Sequence, residues 1–397
     1  MIAEKSNEAR VLRLWKMTRS KMFLRLREFY SNKKILVTGH TGFKGTWLCE
    51  ILKYLGADVI GYSLEPLTNP SLYHLTGIEK QINSYISDIR DLPMLHSVFQ
   101  KEQPEIVIHM AAQPIVRESY RNPVDTYATN VMGTVNVLEC VRNIKSVKSV
   151  VNVTTDKVYR NNEWERGYVE TDYLDGFDPY SNSKSCSELV THSYIQSFLK
   201  EQGVAVSTCR AGNVIGGGDF AIDRIIPDCV RAAERGEAII VRNPASIRPF
   251  QHVLEPLFAY LLIAMEQYDY PEAADCYNVG PDDTSCVTTG ELVTSFCEIW
   301  NRDISTKEDN GNKLTWINQS DGGPHEANFL KLDCTKLKQT FGWKPQWTVN
   351  DALERVIVFE KLRLEKSDNV DVLNECMKKQ IAEYMDNCNV YICGIVR

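Results

Sequence analysis

Two residues that can exchange protons stand four positions apart in the segment Tyr180-Ser-Asn-Ser-Lys184. Residues four apart share one face of a helix, so the phenol and the ammonium can point into the same cleft. A neighbouring cation favours the phenolate, and we therefore expect the pKa of Tyr180 to fall from its reference value of about 10. Such pairs are common on helix surfaces. The position of this pair, on the helix that follows an apolar strand-like run, indicates proton-transfer chemistry.

A second polar group lies at the end of that strand-like run, where Thr155, Asp156 and Lys157 follow one another. Side chains at the carboxyl ends of parallel strands face the ligand-binding crevice of an α/β sheet. Burial there disfavours a carboxylate, so we expect a raised pKa for Asp156 and a proton on it at neutral pH. Lys157 can act as a base only if it is neutral, which burial and a second cation such as Lys184 would promote.

Three glycines spaced three apart, Gly39, Gly42 and Gly45, separate the apolar run Ile35–Thr38 from a helix-like stretch at Thr46–Leu55. A strand that turns tightly into a helix, and whose backbone must approach a pyrophosphate closely, needs positions without a Cβ. The free N–H groups of the helix then face the anion. The pattern therefore predicts the phosphate-binding turn of a dinucleotide site.

Strand-like and helix-like segments alternate from Ile35 to about Gly212. The strand-like runs are Ile35–Thr38, Asp58–Tyr62, Ile82–Ser87, Glu105–His109, Ser149–Val153 and Val204–Cys209, and the helical stretches include Leu92–Gln100, Pro123–Asn143 and Pro179–Lys200. Nearly all-apolar strands that alternate with helices indicate a parallel sheet covered on both faces. We predict an α/β fold, a Rossmann-type doubly wound parallel sheet with a smaller C-terminal substrate-binding α/β domain.

The predicted domains follow from this pattern. Residues 32–212 form the dinucleotide-binding domain with the catalytic residues, residues 213–385 are mainly the substrate domain with some chain returning to the sheet, and residues 386–397 are a tail. Residues 1–31 are basic and amphipathic. We expect them to precede the folded domain and not necessarily to belong to the native product; a surface-binding or partner-binding helix is the alternative. Apolar residues at helical spacing between Asp368 and Met385 predict a docking helix.

Composition limits the classes of function. A net charge of −7 over 397 residues argues against nucleic acid as a partner. The 12 cysteines include no Cys-x-x-Cys pair, so we expect no metal site and reduced thiols in the cytoplasm. No apolar run is long enough to cross a bilayer, and we expect no membrane partner.

From about Lys33 to Met385 the chain resembles the extended short-chain dehydrogenase/reductase family, and within it the nucleotide-sugar 4,6-dehydratases. The resemblance rests on the glycine turn, Tyr180 and Lys184, and on Ser87-Asp-Ile-Arg-Asp91, His109-Met-Ala-Ala-Gln113 and Asn130-Val-Met-Gly133. It implies a bound NAD that acts catalytically. The cofactor-binding residues that it implies are Gly39, Thr41, Gly42, Phe43, Lys44, Gly45, Ser63, Asp88, Ile89, Ala111, Ala112, Gln113 and Asn130, together with Tyr180 and Lys184.

Several segments are similar to the CDP-glucose type within this family. They are Thr38-Gly-His-Thr-Gly-Phe-Lys-Gly45, Thr154-Thr-Asp-Lys-Val-Tyr159, Ala211-Gly-Asn-Val-Ile-Gly-Gly-Gly-Asp219, Arg242-Asn-Pro, Arg248-Pro-Phe-Gln-His-Val-Leu-Glu255 and Pro324-His-Glu-Ala327. The substrate residues implied are Asn213, Arg224, Arg248, His325 and Glu326. No Lys or Arg stands between Gly61 and Lys80 to meet a 2′-phosphate, which favours NAD over NADP.

The implied reaction converts CDP-glucose to a 4-keto-6-deoxy sugar. Tyr180, with Lys184 and Thr155, would remove the 4-hydroxyl proton, and Asp156 would protonate the departing 6-hydroxyl. Lys157 would be the carbon-5 base, or would stabilise the enolate electrostatically. The resemblance also implies deoxysugar and polysaccharide biosynthesis, such as that of lipopolysaccharide O-antigen, and a homodimer or homotetramer formed through the helices Pro123–Asn143 and Pro179–Lys200.

Three alternatives remain open from the sequence. The first is a 4,6-dehydratase for dTDP-glucose, UDP-N-acetylglucosamine or GDP-mannose. In particular, 5-inverting UDP-N-acetylglucosamine dehydratases share the Asp-Lys pair, and the inserted segment from Arg160 to Tyr168 favours the CDP-glucose type. The second is a 4-epimerase, which needs no acid and base such as Asp156 and Lys157. The third is a dinucleotide-sensing regulator, a class that characteristically lacks the pair Tyr180 and Lys184.

Overall fold

A seven-stranded parallel sheet forms the centre of the molecule. The computed structural model describes residues 11, 14, 19–303, 313–319, 329–366 and 369–386. Every neighbouring pair of strands is parallel, and the order across the sheet is β11 (Cys276–Val279), β6 (Ala205–Ala211), β5 (Ser149–Val153), β4 (Ile106–His109), β1 (Lys34–Thr38), β2 (Asp58–Ser63) and β3 (Asn83–Ile86). Six of these strands have the order of a doubly wound dinucleotide-binding sheet, with the crevice at the carboxyl ends of the strands. The predicted fold class is confirmed.

The elements of the described residues have the following bounds. The strands are β1 (Lys34–Thr38), β2 (Asp58–Ser63), β3 (Asn83–Ile86), β4 (Ile106–His109), β5 (Ser149–Val153), β6 (Ala205–Ala211), β7 (Val214–Ile215), β8 (Ile239–Val241), β9 (Ile247–Pro249), β10 (Gln251–His252), β11 (Cys276–Val279), β12 (Cys286–Thr288) and β13 (Trp316–Asn318). The helices are α1 (Arg19–Tyr30), α2 (Phe43–Tyr54), α3 (Leu72–Thr76), α4 (Leu92–Glu102), α5 (Val116–Arg121), α6 (Pro123–Tyr127), α7 (Gly133–Asn143), α8 (Pro179–Tyr194), α9 (Ile225–Arg235), α10 (Leu254–Asp269), α11 (Thr289–Trp300), α12 (Thr335–Phe341), α13 (Val349–Glu365) and α14 (Val370–Asp386).

Alternate strand residues build two separate cores, one on each face of the sheet. On β1, Ile35 and Val37 join the core formed with α1, α2, α10 and α14, whereas Leu36 joins the core formed with α4 and α7. On β4, Ile106 and Ile108 likewise belong to the first core and Val107 to the second. This period of two, with both faces apolar, is what a sheet buried on both sides requires.

The helix α1 is part of the first core. Phe23, Leu26 and Tyr30 are buried, the Phe23 ring lies 5.3 Å from that of Phe258, and the Tyr30 hydroxyl donates to the Leu261 carbonyl at 2.7 Å. This differs from our expectation that residues 1–31 precede the folded domain. The physical reason is that the apolar face of α1 finds its partner on α10, which lies more than two hundred residues along the chain.

Chain from the C-terminal half also completes the sheet domain. The helix α10 is buried along most of its length against β5 and β6, and β11 forms the seventh strand of the sheet. The predicted docking helix is confirmed as α14, in which Leu373, Met377, Ile381 and Tyr384 are buried, although Asp368 lies outside the described residues.

The second, smaller core is built by α9, α11, α13 and short strands. The pairs β7–β10 and β8–β13 are parallel and the pair β9–β12 is antiparallel. Their apolar residues, including Ile226, Phe250, Val293 and Val356, form one cluster. Residues of this unit line one cleft together with the residues that follow β1, β4 and β5.

The predicted long helices are interrupted. The stretch Pro123–Asn143 consists of α6, a π-helical turn at Ala128–Met132, and α7, and the stretch Pro179–Lys200 consists of α8 followed by a π-helical turn at Ile195–Leu199. The first of these turns carries Asn130. A π-turn shifts the register of the following side chains and often marks a functional position.

Candidate active site

A cleft of about 950 Å³ lies between the sheet and the second domain. All five residues predicted as catalytic line it, as do the glycine turn and three of the predicted substrate residues. The cofactor residues on its wall are Gly39, Thr41, Gly42, Phe43, Lys44, Gly45, Ser63, Asp88, Ile89, Ala111, Ala112, Tyr180 and Lys184. The topology thus brings together residues from across the first 250 positions of the chain.

The glycine turn has the geometry expected of a phosphate-binding turn. Gly39 adopts the left-handed conformation with φ +75°, and a Cβ there would lie 2.8 Å from the backbone nitrogen of Ala111. A Cβ on Gly45 would lie 2.1 Å from the Gly39 carbonyl oxygen. Gly42 is the N-cap residue of α2, so the free N–H groups of the first turn face the cleft. A diphosphate fits this cradle.

The opposite wall of the cofactor region is held by side-chain hydrogen bonds. The Thr41 and Ser63 hydroxyls are 2.9 Å apart, which ties the turn to the end of β2. Asp88 is paired with Arg90, whose hydrogen bonds lower the pKa of Asp88. This carboxylate at the end of β3 therefore stays ionised.

Two of the predicted cofactor residues, Asn130 and Gln113, lie behind the wall of the cleft. The Asn130 amide accepts from the Gln113 backbone nitrogen at 2.8 Å and donates to the Gln113 carbonyl at 3.1 Å. It also donates to the Ser183 hydroxyl on α8 at 2.9 Å. Asn130 thus fixes the loop after β4 to the helix that carries the Tyr and Lys pair.

The helix α8 begins where the catalytic pair is needed. The Asp178 side chain caps its first turn by accepting from the Ser181 nitrogen at 3.0 Å, and Pro179 occupies the first helical position. Tyr180 and Lys184 then face the cleft, and the Lys184 ammonium donates to the Val153 carbonyl at the end of β5 at 3.0 Å.

The electrostatics of Tyr180 differ from our expectation. Burial raises the pKa of Tyr180 to about 12, an effect that a hydrogen bond with Thr155 and the charge of Arg224 only partly offset. Burial also lowers the pKa of Lys184 to about 8. The prediction of a lowered Tyr180 pKa was wrong because desolvation of the phenolate outweighs the nearby cations in this enclosed site.

Asp156 lies in the 3₁₀ turn that follows β5 and is buried, with one carboxylate oxygen, Oδ1, accepting from the Thr155 hydroxyl at 3.0 Å. The other oxygen, Oδ2, is buried and has no hydrogen-bond partner in the described structure. Burial raises the pKa of Asp156, while Lys157, Thr155 and Arg248 act in the opposite direction. A buried acceptor without a partner is costly unless it carries or receives a proton.

The predicted substrate residues lie on the second-domain side of the cleft. Arg248 on β9 is buried and donates to the Ile247 carbonyl at 2.9 Å, whereas Arg224 is one-third exposed and stands 3.6 Å from Asp219. Asn213 lines the cleft after β6. His325 and Glu326 lie outside the described residues.

Lys44 shows a feature that the glycine pattern does not predict. Lys44 is half-buried in the wall of the cleft, and its ammonium lies 3.3 Å from the Tyr260 hydroxyl. Burial, and then the charges of Arg224 and Lys184, lower the pKa of Lys44 to about 7.

A buried ion pair supports the catalytic strand from behind. The guanidinium of Arg210 on β6 donates to Glu188 of α8 through Nε at 3.0 Å and Nη2 at 2.9 Å. Glu188 also accepts from the hydroxyls of Thr154 and Thr208. Because Thr154 directly precedes Thr155, this network fixes the backbone that presents the acid.

Sequence reasoning also missed a series of alternating charges along the cleft, which we call the ionic chain. Arg117 lies 4.0 Å from Asp223, Asp223 accepts from Arg242 at 3.0 Å, Arg242 reaches Asp228 at 3.4 Å, and Asp228 accepts from Arg231 at 2.5 Å. Arg117 belongs to the sheet domain and the other four residues to the second domain. In the sequence, only the Arg242-Asn-Pro segment drew attention to one of these residues, and it did not predict which residues Arg242 contacts.

Two features are absent from the described part of the chain. No helix there combines the length and the apolar character that a bilayer crossing requires. No group of three or more His, Cys, Asp or Glu side chains in the same residues could hold a metal ion.

Solved structures with the same fold include nucleotide-sugar enzymes. The UDP-glucose 4-epimerase of Thermotoga maritima, solved with UDP-glucose, has a TM-score of 0.70 at 24% identity and covers 83% of this chain and 99% of its own. The dTDP-glucose 4,6-dehydratase of Bacillus anthracis, solved with NAD, has a TM-score of 0.68 at 22% identity and covers 84% and 98%. These likenesses establish the fold.

Sequence comparison establishes the family. The CDP-glucose 4,6-dehydratase of Salmonella typhimurium is 43% identical over 365 residues, which is 90% of this chain and 98% of that protein. The dTDP-glucose 4,6-dehydratase 1 of Escherichia coli is 24% identical over 359 residues, or 85% and 95%. The family model described as GDP-mannose 4,6 dehydratase matches residues 36–356. The glycine turn, the Tyr and Lys pair and the buried Asp156 line one cleft. The chain therefore belongs to the nucleotide-sugar 4,6-dehydratase family.

Proposed function

We propose that this protein is an NAD-dependent CDP-glucose 4,6-dehydratase, which forms CDP-4-keto-6-deoxyglucose. The reaction oxidises carbon 4, eliminates water across carbons 5 and 6, and returns the hydride to carbon 6. The relative that is 43% identical supports the substrate, and the family supports the reaction. The observation that carries the proposal is Asp156, a buried carboxyl with an unpartnered oxygen beside Tyr180, because only the elimination needs it.

NAD fits the residues of the cleft. The turn around Gly39 and the N-terminus of α2 would hold the diphosphate, Asp88 and Ile89 would contact the adenine end, and Ala111, which also lines the cleft, would contact the middle of the cofactor. When bound, NAD supplies the hydride acceptor for carbon 4 and the hydride donor for carbon 6, so that it is regenerated in each turnover.

Tyr180 is the base for the first step and takes the proton of the 4-hydroxyl. Its burial makes the phenol a weak acid, so the site must favour the phenolate when the substrate is in place. Thr155 contributes a hydrogen bond and Arg224 a positive charge. Lys184, fixed on the Val153 carbonyl, keeps a second cation on the same helix face one turn away.

Asp156 is the acid for the second step and protonates the departing 6-hydroxyl. The 4-ketone acidifies the proton on carbon 5, so that water can be lost across the bond. The half-buried Lys157 lies on the same cleft wall. It removes the carbon-5 proton when neutral and stabilises the enolate when charged, and both roles are consistent with its position.

The inserted segment after Lys157 supports the CDP-glucose type over the 5-inverting type. Trp164, Tyr168 and Tyr159 stack with ring centroids 5.6 and 5.3 Å apart, and Arg166 lies over Trp164 at 4.1 Å. The Tyr168 nitrogen donates to the Lys331 carbonyl at 2.9 Å, so the insertion is packed onto the chain that follows His325 and Glu326. The inserted segment is therefore an ordered part of the fold.

The proposed setting is cytoplasmic, in deoxysugar and polysaccharide biosynthesis such as that of lipopolysaccharide O-antigen. The proposed assembly is a homodimer or homotetramer through α6, α7 and α8. Val124 on α6, Met132 on the π-helical turn between α6 and α7, and Leu189 on α8 are 82%, 52% and 58% exposed, which suits a surface covered by a second copy.

The test is to incubate the protein with NAD and, separately, CDP-glucose, dTDP-glucose, UDP-glucose, UDP-N-acetylglucosamine and GDP-mannose, and to follow the products by NMR. We expect a 4-keto-6-deoxy sugar from CDP-glucose with carbon 5 unchanged in configuration. Turnover of another nucleotide sugar instead would overturn the specificity and keep the mechanism. Interconversion of UDP-glucose and UDP-galactose would establish an epimerase, and NAD binding without any turnover would establish a regulator.

A further inference from the structure

The end of the cleft that belongs to the second domain has no part in the proton transfers. Its wall is built by α9 and β8, which pack together, and its lining residues include Pro227, Asp228, Ile240 and Arg242. Asp228 lies in the first turn of α9, and Arg242 directly follows β8. Each of these two side chains is 30% exposed, so each presents polar atoms to the cleft.

The carboxylate of Asp228 is held from two sides. Its Oδ1 accepts from Arg231 at 2.5 Å and its Oδ2 accepts from Arg242 at 3.4 Å. The Arg231 guanidinium is itself fixed, because it donates to the carbonyls of Phe220 and Ala221 at 3.2 and 3.1 Å. Fixing a side chain in this way lowers the conformational entropy that binding would otherwise cost.

Arg242 is fixed by a second carboxylate. One terminal nitrogen donates to Asp223 at 3.0 Å and the other to Asp228. Asp223 lies in the left-handed region with φ +58° and pairs with Arg117 of the sheet domain. A carboxylate and a guanidinium therefore stand side by side on the cleft wall, as a rigid acceptor next to a rigid set of donors.

We infer that Asp228 and Arg242 read the base of the substrate and select cytosine. This inference rests on the proposed function and deepens its specificity. A cytosine presents its 4-amino donor beside the acceptors N3 and O2, which matches a carboxylate beside a guanidinium. Uracil and thymine present an acceptor, O4, where cytosine has the amino group, and the carboxylate repels it. Pro227 and Ile240 supply apolar surface for the ring.

The first experiment measures base preference with the full-length protein and added NAD. The ratio of kcat/KM for CDP-glucose to that for UDP-glucose is determined for the wild type, Asp228→Asn and Glu237→Gln. We expect Asp228→Asn to lower this ratio by about ten-fold, because an amide can donate to O4 as well as accept from the amino group. Glu237→Gln, which makes the same change at an exposed position just beyond α9, is expected to leave the ratio unchanged.

A binding measurement separates this inference from the proposed function. Titration calorimetry with CDP, UDP and GDP needs no turnover, so it reports base preference even if the wild type does not dehydrate CDP-glucose. We expect the wild type to bind CDP at least about ten-fold more tightly than UDP. Tighter binding of GDP than of CDP would overturn the choice of cytosine, since guanine also offers donors to a carboxylate.

A second variant guards against a folding defect in the first. Arg242→Lys keeps the charge and loses the fork of donors, and should lower the ratio of CDP to UDP affinity. Thermal unfolding of both variants shows whether the fold persists. If folded Asp228→Asn and Arg242→Lys both keep the wild-type ratio, the two side chains serve only the ionic chain and the inference is wrong.

Discussion

The two ends of the cleft both carry ionisable side chains, but they differ in how far those side chains are buried. At the catalytic end Tyr180, Lys184, Thr155 and Asp156 are almost wholly buried, and burial is the largest influence on the pKa of Tyr180, Lys184 and Asp156. At the end that we propose binds the nucleotide, which we call the nucleotide end, the ionic chain consists of side chains that are between 22% and 30% exposed. There the charges are paired with one another and remain in contact with solvent.

This difference follows from what each end has to do. A dry site shifts the pKa values of an acid and a base to values that ordinary side chains do not have, and it strengthens each charge interaction. A site that must recognise a charged nucleotide and then release it gains from paired, hydrated charges, which cost little to rearrange. We therefore expect substitutions at the catalytic end to change rates and stability strongly, and those at the nucleotide end to change mainly affinity.

The largest expected effect is that of Asp156→Asn. An amide cannot donate the proton that the 6-hydroxyl needs, so we expect dehydration to slow by about 10²- to 10⁴-fold. Oxidation at carbon 4 should persist, because Tyr180 and Lys184 are unchanged. Single-turnover absorbance of the reduced nicotinamide, compared with product formation by NMR, distinguishes the two steps. Normal dehydration in this variant would show that Asp156 is not the acid that protonates the 6-hydroxyl.

The comparison also predicts a difference in folding stability. Glu188→Gln leaves the buried Arg210 without its counter-charge, and we expect the free energy of unfolding to fall by about 3–5 kcal/mol. Asp223→Asn breaks a partly exposed pair and should cost about 0–1 kcal/mol. Asn tolerates the left-handed backbone conformation of residue 223, so Asp223→Asn changes the ion pair without adding backbone strain. Urea unfolding measures both variants, and equal losses would contradict the contrast.

How much of this contrast can be read from the sequence depends on the range of the interactions. The glycine turn and the helical spacing of Tyr180 and Lys184 are local, and the predicted strands agree with β1 to β6 within a few residues. The raised pKa of Asp156 also follows from its place at the end of a buried strand. These features depend on backbone geometry and hydrophobic period, which neighbouring residues determine.

The remaining features depend on partners that are remote in the chain. The strand β11 was not predicted, because it has four residues and one of them is Asn278, whose amide is satisfied by the carbonyls of Tyr168 and Asp333. The sign of the Tyr180 pKa shift depends on how completely the second domain covers the cleft. The ionic chain needs Arg117 beside Asp223, and no local sequence pattern predicts this contact between the two domains.

The pH dependence of the elimination step provides a third test of the catalytic end. Asp156 must be protonated to act as an acid, and burial raises its pKa, so the active form is present at low pH and is lost as the pH rises through the raised pKa. Above that value we expect the rate of elimination to fall about ten-fold for each pH unit. Rapid-quench measurement of water loss from a preformed 4-keto substrate isolates this step. A rate that does not fall as the pH rises above that value would show that Asp156 is not the acid of this step.

The smallest expected effect belongs to Arg224, which lies between the two ends. It is one-third exposed and its guanidinium stands 3.6 Å from Asp219, so a bound diphosphate would compete with a carboxylate that is already present. Arg224→Ala removes one charge contact with the diphosphate, and the competing contact with Asp219 makes that loss small. We therefore expect KM for CDP-glucose to rise about three- to ten-fold. Arg235→Ala on the same helix, at an exposed position, is the matched control. Arg224 also lowers the pKa of Tyr180. A fall in kcat larger than the rise in KM would therefore mean that Arg224 acts at the catalytic end, although it lies in the second domain.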